Sequence, residues 1–298
     1  MCESFTMLGS ELPLSWLRRD IDCPSLTVRS LPISRLRWVA YADLPLRYSF
    51  EQFYSDWLEQ MPGALIRGCG PTLASFLARQ GWATARVGVE ALIDLDGEGM
   101  QRRAVLKMVK QARRYGAARE VLWDEESVQQ LQAFAARVRH RAVPQLRHLF
   151  RTEFMPGTRL FVFDREDGGW QGAILISAPH PTAAVTELML RMPDAPGGVI
   201  ESLFTFAGAR LRSEGVRQFS MNEAPFHHMD HDLRPFEHLI SAAGRGLRRS
   251  YNAEGLLRFK AKFAPRWQPV YVCARPWLSP LVLADLFAAS GCLRLTMS

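Results

Sequence analysis

The chain has 298 residues, of which 48% are hydrophobic and 22% are charged. This composition excludes intrinsic disorder, and the length is sufficient for two domains. Lys and Arg outnumber Asp and Glu by 37 to 30, which gives a formal net charge of +7. The excess favours an anionic partner, such as nucleic acid, a lipid headgroup or a phosphorylated cofactor, and does not choose among them. A basic protein that binds no anion is the alternative.

Cysteine content and hydropathy indicate the cellular compartment in which we expect the protein. The five cysteines form no CxxC pair and their number is odd, so we expect neither a disulfide framework nor a structural zinc site. No apolar run approaches the roughly 20 residues that span a bilayer. We therefore expect a cytoplasmic protein without a transmembrane segment, which would reach a lipid only by peripheral contact at the inner face of the membrane.

The first 95 residues alternate strands and helices after a weakly periodic arm over residues 1–30, which is predicted to be irregular. This alternation is typical of α/β layer folds. Apolar patterns and turn residues predict, in order, a strand at Arg37–Tyr41, a helix opening at Ser49 with a Gln52 capping box, a strand at Ala64–Cys69, a helix from Pro71, and extended chain over Ala83–Leu95.

Residues 100–116 predict a helix with one basic and one apolar face. Positive side chains recur at helical spacing at Arg103, Lys107, Lys110 and Arg114, and Arg113 adds a further charge. The opposite face is formed by Val105, Val109 and Ala112. We interpret the basic residues as a tRNA or anion contact, because phosphate contacts bind without reading sequence. A solvated face and attachment to anionic lipid remain alternatives.

The second half of the chain predicts three strands, a helix and a further strand, which is the core order of the acetyltransferase fold. Fold alone does not settle function. The predicted elements are strands at Arg159–Asp164, Trp170–Ser177 and Ala184–Met192, a helix that ends at Gly215, and strands at Gln218–Asn222 and Pro269–Cys273. Pro156-Gly157 marks a break between the two halves of the chain.

Four segments in the right order carry a family resemblance: Trp38–Leu95, Arg102–Gly116, Glu187–Gly198 and Gly255–Tyr271. With them the chain resembles the catalytic domain of bacterial lysyl-phosphatidylglycerol synthases. The resemblance implies an α/β fold of two tandem acetyltransferase-like domains, with mixed sheets flanked by helices. We divide the chain into an arm (1–30), an N-terminal domain (31–155) and a C-terminal catalytic domain (156–298).

The resemblance also implies the reaction. An aminoacyl-tRNA would serve as donor and co-substrate, with no further cofactor, and a lipid or small hydroxylated molecule would be the acceptor. Such a transfer needs substrate positioning, help in deprotonating the acceptor, and stabilisation of an oxyanion. Met221–Pro225 departs from the family pattern, which leaves the donor amino acid and the acceptor open.

Three residues are candidates for the chemistry. Glu187 lies in an apolar strand and Asp194 in the turn after it, so one would hold the α-ammonium of the aminoacyl group and the other would act as general base. Pairing of Glu187 with Arg191 is the structural alternative. Lys260 would stabilise the oxyanion or bind terminal phosphates of tRNA.

Further side chains are candidates for substrate binding: Arg191, Asn222, Glu223, Tyr251, Arg258 and Lys262. The segment around Lys260 fits either a strand or a short helix. In a strand, alternation would place Arg258, Lys260 and Lys262 on one face, which could equally be a solvated basic face.

Two other functions stay open. One is an acyl-CoA-dependent N-acyltransferase, which the turn Asp194–Gly198 disfavours, because Pro196 lacks an N–H and Asp194 repels phosphate. The other is a non-catalytic binding module that kept the fold. We expect no metal site, although several histidines and aspartates cluster in a proline-flanked stretch at His227, His228, Asp230, His231, Asp232 and His238.

Overall fold

The computed structural model describes residues 11–138, 146–166, 168–227, 237–238 and 253–292. Within them, eleven strands form one mixed sheet in the order β1-β3-β4-β11-β5-β10-β9-β8-β7-β6, and β2 pairs with β3. The strands are β1 Leu17–Arg19, β2 Ser25–Ser30, β3 Arg37–Pro45, β4 Ala64–Cys69, β5 Ala83–Asp94, β6 Gly116–Val121, β7 Thr158–Arg165, β8 Trp170–His180, β9 Ala183–Arg191, β10 Gln218–Pro225 and β11 Arg266–Ala274.

Helices pack on the sheet. They are α1 Phe50–Phe53, α2 Pro71–Arg79, α3 Arg103–Ala112, α4 Glu125–Val138, α5 Val199–Ser213, α6 Ala253–Ala261 and α7 Pro280–Ala289; a π-turn over Tyr54–Leu58 extends α1. The predicted capping box of α1 is present, because Gln52 N donates to Ser49 Oγ (3.1 Å) and Ser49 N donates to Gln52 Oε1 (2.8 Å). Local signals therefore predicted where this helix begins.

Strand β7 shows why helices cover both faces of the second half of the sheet. Its side chains alternate between two cores: Phe161 and Phe163 pack with α3 and α5, whereas Leu160 and Val162 pack with α4. A strand segment with both faces buried must be apolar on both, as Leu160–Phe163 is. The predicted order of three strands, a helix and a strand is confirmed as β7-β8-β9-α5-β10.

The two halves of the chain exchange strands within the shared sheet. Strand β6, from the first half, pairs with β7, and β11, from the second half, lies between β4 and β5. The halves meet where β10 pairs antiparallel with β5 and parallel with β9. The division into residues 31–155 and 156–298 stays a prediction, since neither range contains all the strands of its own half of the sheet.

The predicted arm requires one correction. Residues 17–19 and 25–30 form β1 and β2, and are not irregular. Strand β1 is only three residues long and β2 is largely exposed, so neither shows the alternation that marks a half-buried strand. Among the described residues, no helix has both the length and the apolar character required to cross a bilayer.

Candidate functional site

A gap between neighbouring strands opens where β9 and β10 diverge. They pair only through Gln218–Ser220, although both strands continue beyond that point. The β10–β5 register shifts after Ser220, and Asn222 adopts a φ of 65°, a left-handed conformation that asparagine tolerates better than most residues. Instead of a ladder bond, Asn222 Nδ2 donates to Thr186 O at 2.9 Å. The bulge thus holds the two strands apart.

Lys260 reaches this bulge from α6. Its side chain is 3% exposed, and Nζ donates to the backbone oxygens of Asn222 and Glu223, both at 2.8 Å. Burial lowers the pKa of Lys260 to about 7, opposed by the charges of Glu223 and Glu90. The structure therefore brings together three predicted site residues: Lys260 and, at least 37 positions earlier in the chain, Asn222 and Glu223.

The segment around Lys260 is a helix, so the strand alternative and its common basic face are wrong. Residues two apart on a helix point in nearly opposite directions. Arg258 is exposed while Lys260 is buried, and Lys262, just past the helix end, pairs with Glu201 at 2.7 Å. The three cations therefore do not form one surface.

Glu90 is a site residue that sequence reasoning did not select. It lies in β5, is 8% exposed, and accepts a hydrogen bond from Ser220 Oγ. Burial raises the pKa of Glu90 to about 7; the hydrogen bond from Ser220 and the charge of Lys260 act in the opposite direction. The signal was present, because Glu90 interrupts an apolar strand just as Glu187 does.

A second buried carboxylate lies beside Glu90. Glu223 is its cross-strand neighbour in the β10–β5 register and is 5% exposed. The Arg67 guanidinium forms an ion pair with Glu223. Two carboxyl groups and two cations thus share this interior, and such a set is stable only if each charge is paired.

Glu90 and Ser220 line a cavity of about 590 Å³ that also contacts residues 11–16 and the start of β9, where β9 still pairs with β10. Its polar lining includes Glu11, Thr72, His180, Arg217, Arg266 and Gln268. Burial raises the pKa of Glu11, and its Oε1 is buried without a hydrogen-bond partner. Arg217 and Arg266 are exposed. The cavity therefore presents carboxyl groups inside and arginines at its edge, and its volume is that of a typical small-ligand site.

Glu187 is buried in a different set of contacts. It is 4% exposed and accepts hydrogen bonds from Ser177 Oγ (2.7 Å), Ser15 Oγ (3.0 Å) and Arg151 N (3.0 Å). Burial raises the pKa of Glu187 against these hydrogen bonds. Arg191 instead donates to Ala195 O, so the predicted structural alternative, a Glu187–Arg191 pair, is replaced by two serines and a backbone N–H.

The turn after β9 does not bring its predicted site residues into the buried set. Asp194 and Arg191 are exposed. Gly198, the N-cap of α5, has a φ of 95°, and a Cβ built there would lie 2.0 Å from Met108 O of α3. Only glycine allows this approach. The start of α5, where an acyl-CoA enzyme would bind pyrophosphate, therefore packs closely against α3.

The basic helix is confirmed as amphipathic. Val105, Val109 and Ala112 are buried, and the predicted contact residues are all exposed: Arg103, Lys107, Lys110, Arg113 and Arg114. The catalytic and binding roles assigned from sequence stay predictions. Tyr251 lies outside the described residues, as do His228, Asp230, His231 and Asp232. Within the described ranges, no group of three His, Cys, Asp or Glu side chains has the arrangement of a metal site.

The fold and site define an acetyltransferase-like α/β protein with a carboxyl-lined cavity beside the paired residues of β9 and β10. Residues 47–274 match the family model described as "Phosphatidylglycerol lysyltransferase, C-terminal". The chain belongs to that family, which confirms the resemblance noted in the sequence.

Three similar proteins illustrate the match. A phosphatidylglycerol lysyltransferase of Bacillus subtilis is 30% identical over 91 residues, which cover 30% of this chain and 11% of that protein. The structure of L-PGS from Bacillus licheniformis has a TM-score of 0.61 at 18% identity, covering 83% of this chain and 78% of that one. The C-terminal domain of a putative lysylphosphatidylglycerol synthetase from Agrobacterium fabrum has a TM-score of 0.58 at 22% identity, covering 81% and 76%.

Proposed function

We propose that this chain moves an aminoacyl group from tRNA to a hydroxyl group of a lipid or small acceptor, in the cavity beside Glu90. One observation carries the proposal: a buried carboxyl group with a pKa of about 7 lines a cavity beside the residues through which β9 and β10 pair. A base with that pKa can take a proton from a substrate near neutral pH. Membership of the lysyltransferase family supports the same class of reaction.

Glu90 takes the proton of the acceptor hydroxyl, and the acceptor oxygen bonds to the carbonyl carbon of the aminoacyl ester. The bond from that carbon to the terminal ribose of tRNA then breaks, and the proton passes from Glu90 to the ribose oxygen. No nucleophile from the protein is needed, because the ester is already activated.

The surrounding side chains suit a cationic aminoacyl group. Glu11 is a second carboxyl group in the cavity and would receive an ammonium group of the amino acid. Arg217 and Arg266 would receive a phosphate of the tRNA end or of the acceptor, since guanidinium groups bind phosphate well. Lys260 would act as a positioning residue, because it holds the bulge backbone and lies near Glu90 without lining the cavity.

A transfer assay tests the proposal. The protein is incubated with tRNA carrying radiolabelled amino acids, lysine first, and with phosphatidylglycerol vesicles. We expect label in the solvent-extractable lipid, and none after the charged tRNA has been treated with ribonuclease. A parallel reaction contains labelled acetyl-CoA. Transfer from acetyl-CoA but not from charged tRNA would establish the alternative function, an acyl-CoA-dependent N-acyltransferase. Transfer from neither donor would support the other alternative, a non-catalytic binding module.

The basic face of α3 is expected to contact the tRNA backbone. Replacing Lys107 and Lys110 together by glutamine should weaken tRNA binding and reduce the slope of log affinity against log salt by about 2, roughly 1 per lost phosphate contact. Filter binding at several salt concentrations measures this. The control removes two exposed arginines elsewhere, Arg79 and Arg137, and so matches the change in net charge. Equal slopes in both variants would exclude α3 as the contact.

A further inference from the structure

Helix α7 exposes an apolar face. Its sequence, PLVLADLFAA, has one charged residue, Asp285, and that side chain is fully buried. The solvent-facing positions are Pro280, Leu281, which is 51% exposed, Ala284 and Ala288. They recur at helical spacing and form one stripe. Because a surface helix normally faces water with polar residues, this stripe indicates an apolar partner.

Asp285 extends the apolar face onto a neighbouring hairpin. Its Oδ2 accepts hydrogen bonds from Ile33 N (3.0 Å), Ser34 N (2.7 Å) and Ser34 Oγ (2.8 Å). These bonds hold the β2–β3 turn against α7. Leu281 lies one helical turn before Asp285, and Ile33, at the tip of the turn, is 61% exposed. Two large exposed aliphatic side chains thus lie on the two elements that these hydrogen bonds join.

Positive charge lies on the hairpin and at one end of the helix that form this face. The hairpin segment 25–42 contains three arginines and no acidic residue, and all three are exposed: Arg29, Arg35 and Arg37. At the other end of α7, Arg147 N donates to Ser290 O at 2.8 Å, and its side chain is exposed. The pKa of His148 is lowered mainly by burial and further by the charges of Arg29 and Arg147. These two arginines therefore lie near the same histidine.

We propose that α7 and the β2–β3 turn dock on the surface of an anionic phospholipid bilayer, with Leu281 and Ile33 inserted below the headgroups. Exposed aliphatic side chains with arginines on the same hairpin and at the end of the same helix match such a surface, where apolar groups enter the interface and cations meet lipid phosphates. A second copy of the chain would bring the four arginines of each copy together, which disfavours self-association. This inference rests on the proposed function, because it assigns the membrane as the source of the acceptor.

The test uses the full chain and vesicles of either pure phosphatidylcholine or a mixture with phosphatidylglycerol. We expect flotation only with the anionic vesicles. A variant with Ile33→Ser and Leu281→Ser should bind them at least tenfold more weakly, and Arg35→Gln with Arg37→Gln about fivefold more weakly per arginine. Leu122→Ser, at an 81% exposed site on another surface, is the matched control. Unchanged melting temperatures exclude unfolding as the cause.

The outcomes separate this inference from the proposed function. The Ile33/Leu281 variant should transfer poorly to vesicle lipid and normally to a water-soluble, short-chain phosphatidylglycerol. Wild-type affinity of that variant for anionic vesicles would overturn the docking surface while leaving the transfer reaction intact. A wild-type dimer in sedimentation that the variant abolishes, with vesicle binding unchanged, would assign the surface to self-association. No transfer to the short-chain acceptor by the wild-type protein would instead overturn the proposed function.

Discussion

Replacing Glu90 by glutamine is expected to lower the rate constant of aminoacyl transfer by about 10²- to 10⁴-fold, the usual contribution of a general base. Glutamine keeps the size of the side chain and can still accept the hydrogen bond from Ser220 Oγ. Only the ability to take a proton is lost. Single-turnover transfer from charged tRNA measures the effect, and Glu254→Gln, at an exposed carboxylate of α6, is the control.

The pH dependence of the transfer rate is a second measurement, and it would not change if Glu90 had only a structural role. Transfer should rise as pH increases through about 7, because Glu90 must lose its proton to act as a base. In the Glu90→Gln variant, the transfer rate should not show this rise, the ascending limb of the pH profile. Lys260→Met removes a nearby positive charge that opposes the raised pKa of Glu90, and should move the limb to higher pH. A profile that is identical in wild type and Glu90→Gln would exclude Glu90 as the base.

Stability provides the folding control for this variant. The folded state holds the Glu90 proton more tightly than the unfolded state, since its pKa is raised from 4.5 to about 7. The resulting stabilisation is complete below pH 4.5 and is lost as pH rises through about 7. Glutamine does not titrate, so the variant should gain in melting temperature relative to wild type between pH 5 and pH 8.

Local sequence patterns predicted much of the fold. Strand alternation, the Ser49 capping box and the basic and apolar faces of α3 all depend on residues within a few positions of one another, and the structure confirms them. The exchange of β6 and β11 between the halves depends on pairings across the whole chain, which periodicity does not encode. Strand β2, mostly exposed, carried no usable alternation.

The site was predictable only in part. Lys260 lies in a segment that carries the family resemblance, and Asn222 and Glu223 lie in the stretch that departs from the family pattern; the structure brings the three together. Glu90 and Glu187 gave the same signal, a carboxylate in an apolar strand. What distinguishes them is tertiary: Glu90 faces a cavity, while Glu187 meets two serines and a backbone N–H. The partners Ser15 and Arg151 are far away in sequence, so no local pattern reveals that difference.

Glu187→Ala is expected to lower the free energy of unfolding by about 3 kcal/mol, because it leaves buried hydrogen-bond donors without an acceptor. The substitution should also weaken contacts outside β9, because Arg151, whose N–H donates to Glu187, is part of a larger set of contacts. Arg151 also donates from Nε to Ser15 O at 2.8 Å, pairs with Asp43 at 2.5 Å, and lies over the Tyr41 ring at 5.0 Å. Glu187 therefore ties together the segment before β1, strand β3 and the segment around Arg151.

Denaturant unfolding measures the loss, with the exposed Glu153→Ala as control. Glu187→Gln separates this structural role from the catalytic role predicted for Glu187 from its strand. If the carboxylate mainly holds Ser15, Ser177 and Arg151 in place, the glutamine variant should transfer within about fivefold of the wild-type rate once it is folded, because its amide oxygen still accepts hydrogen bonds. A hundredfold slower transfer at an unchanged melting temperature would instead make Glu187 a catalytic residue, and the reacting groups would then extend from Glu90 across the strand gap to β9.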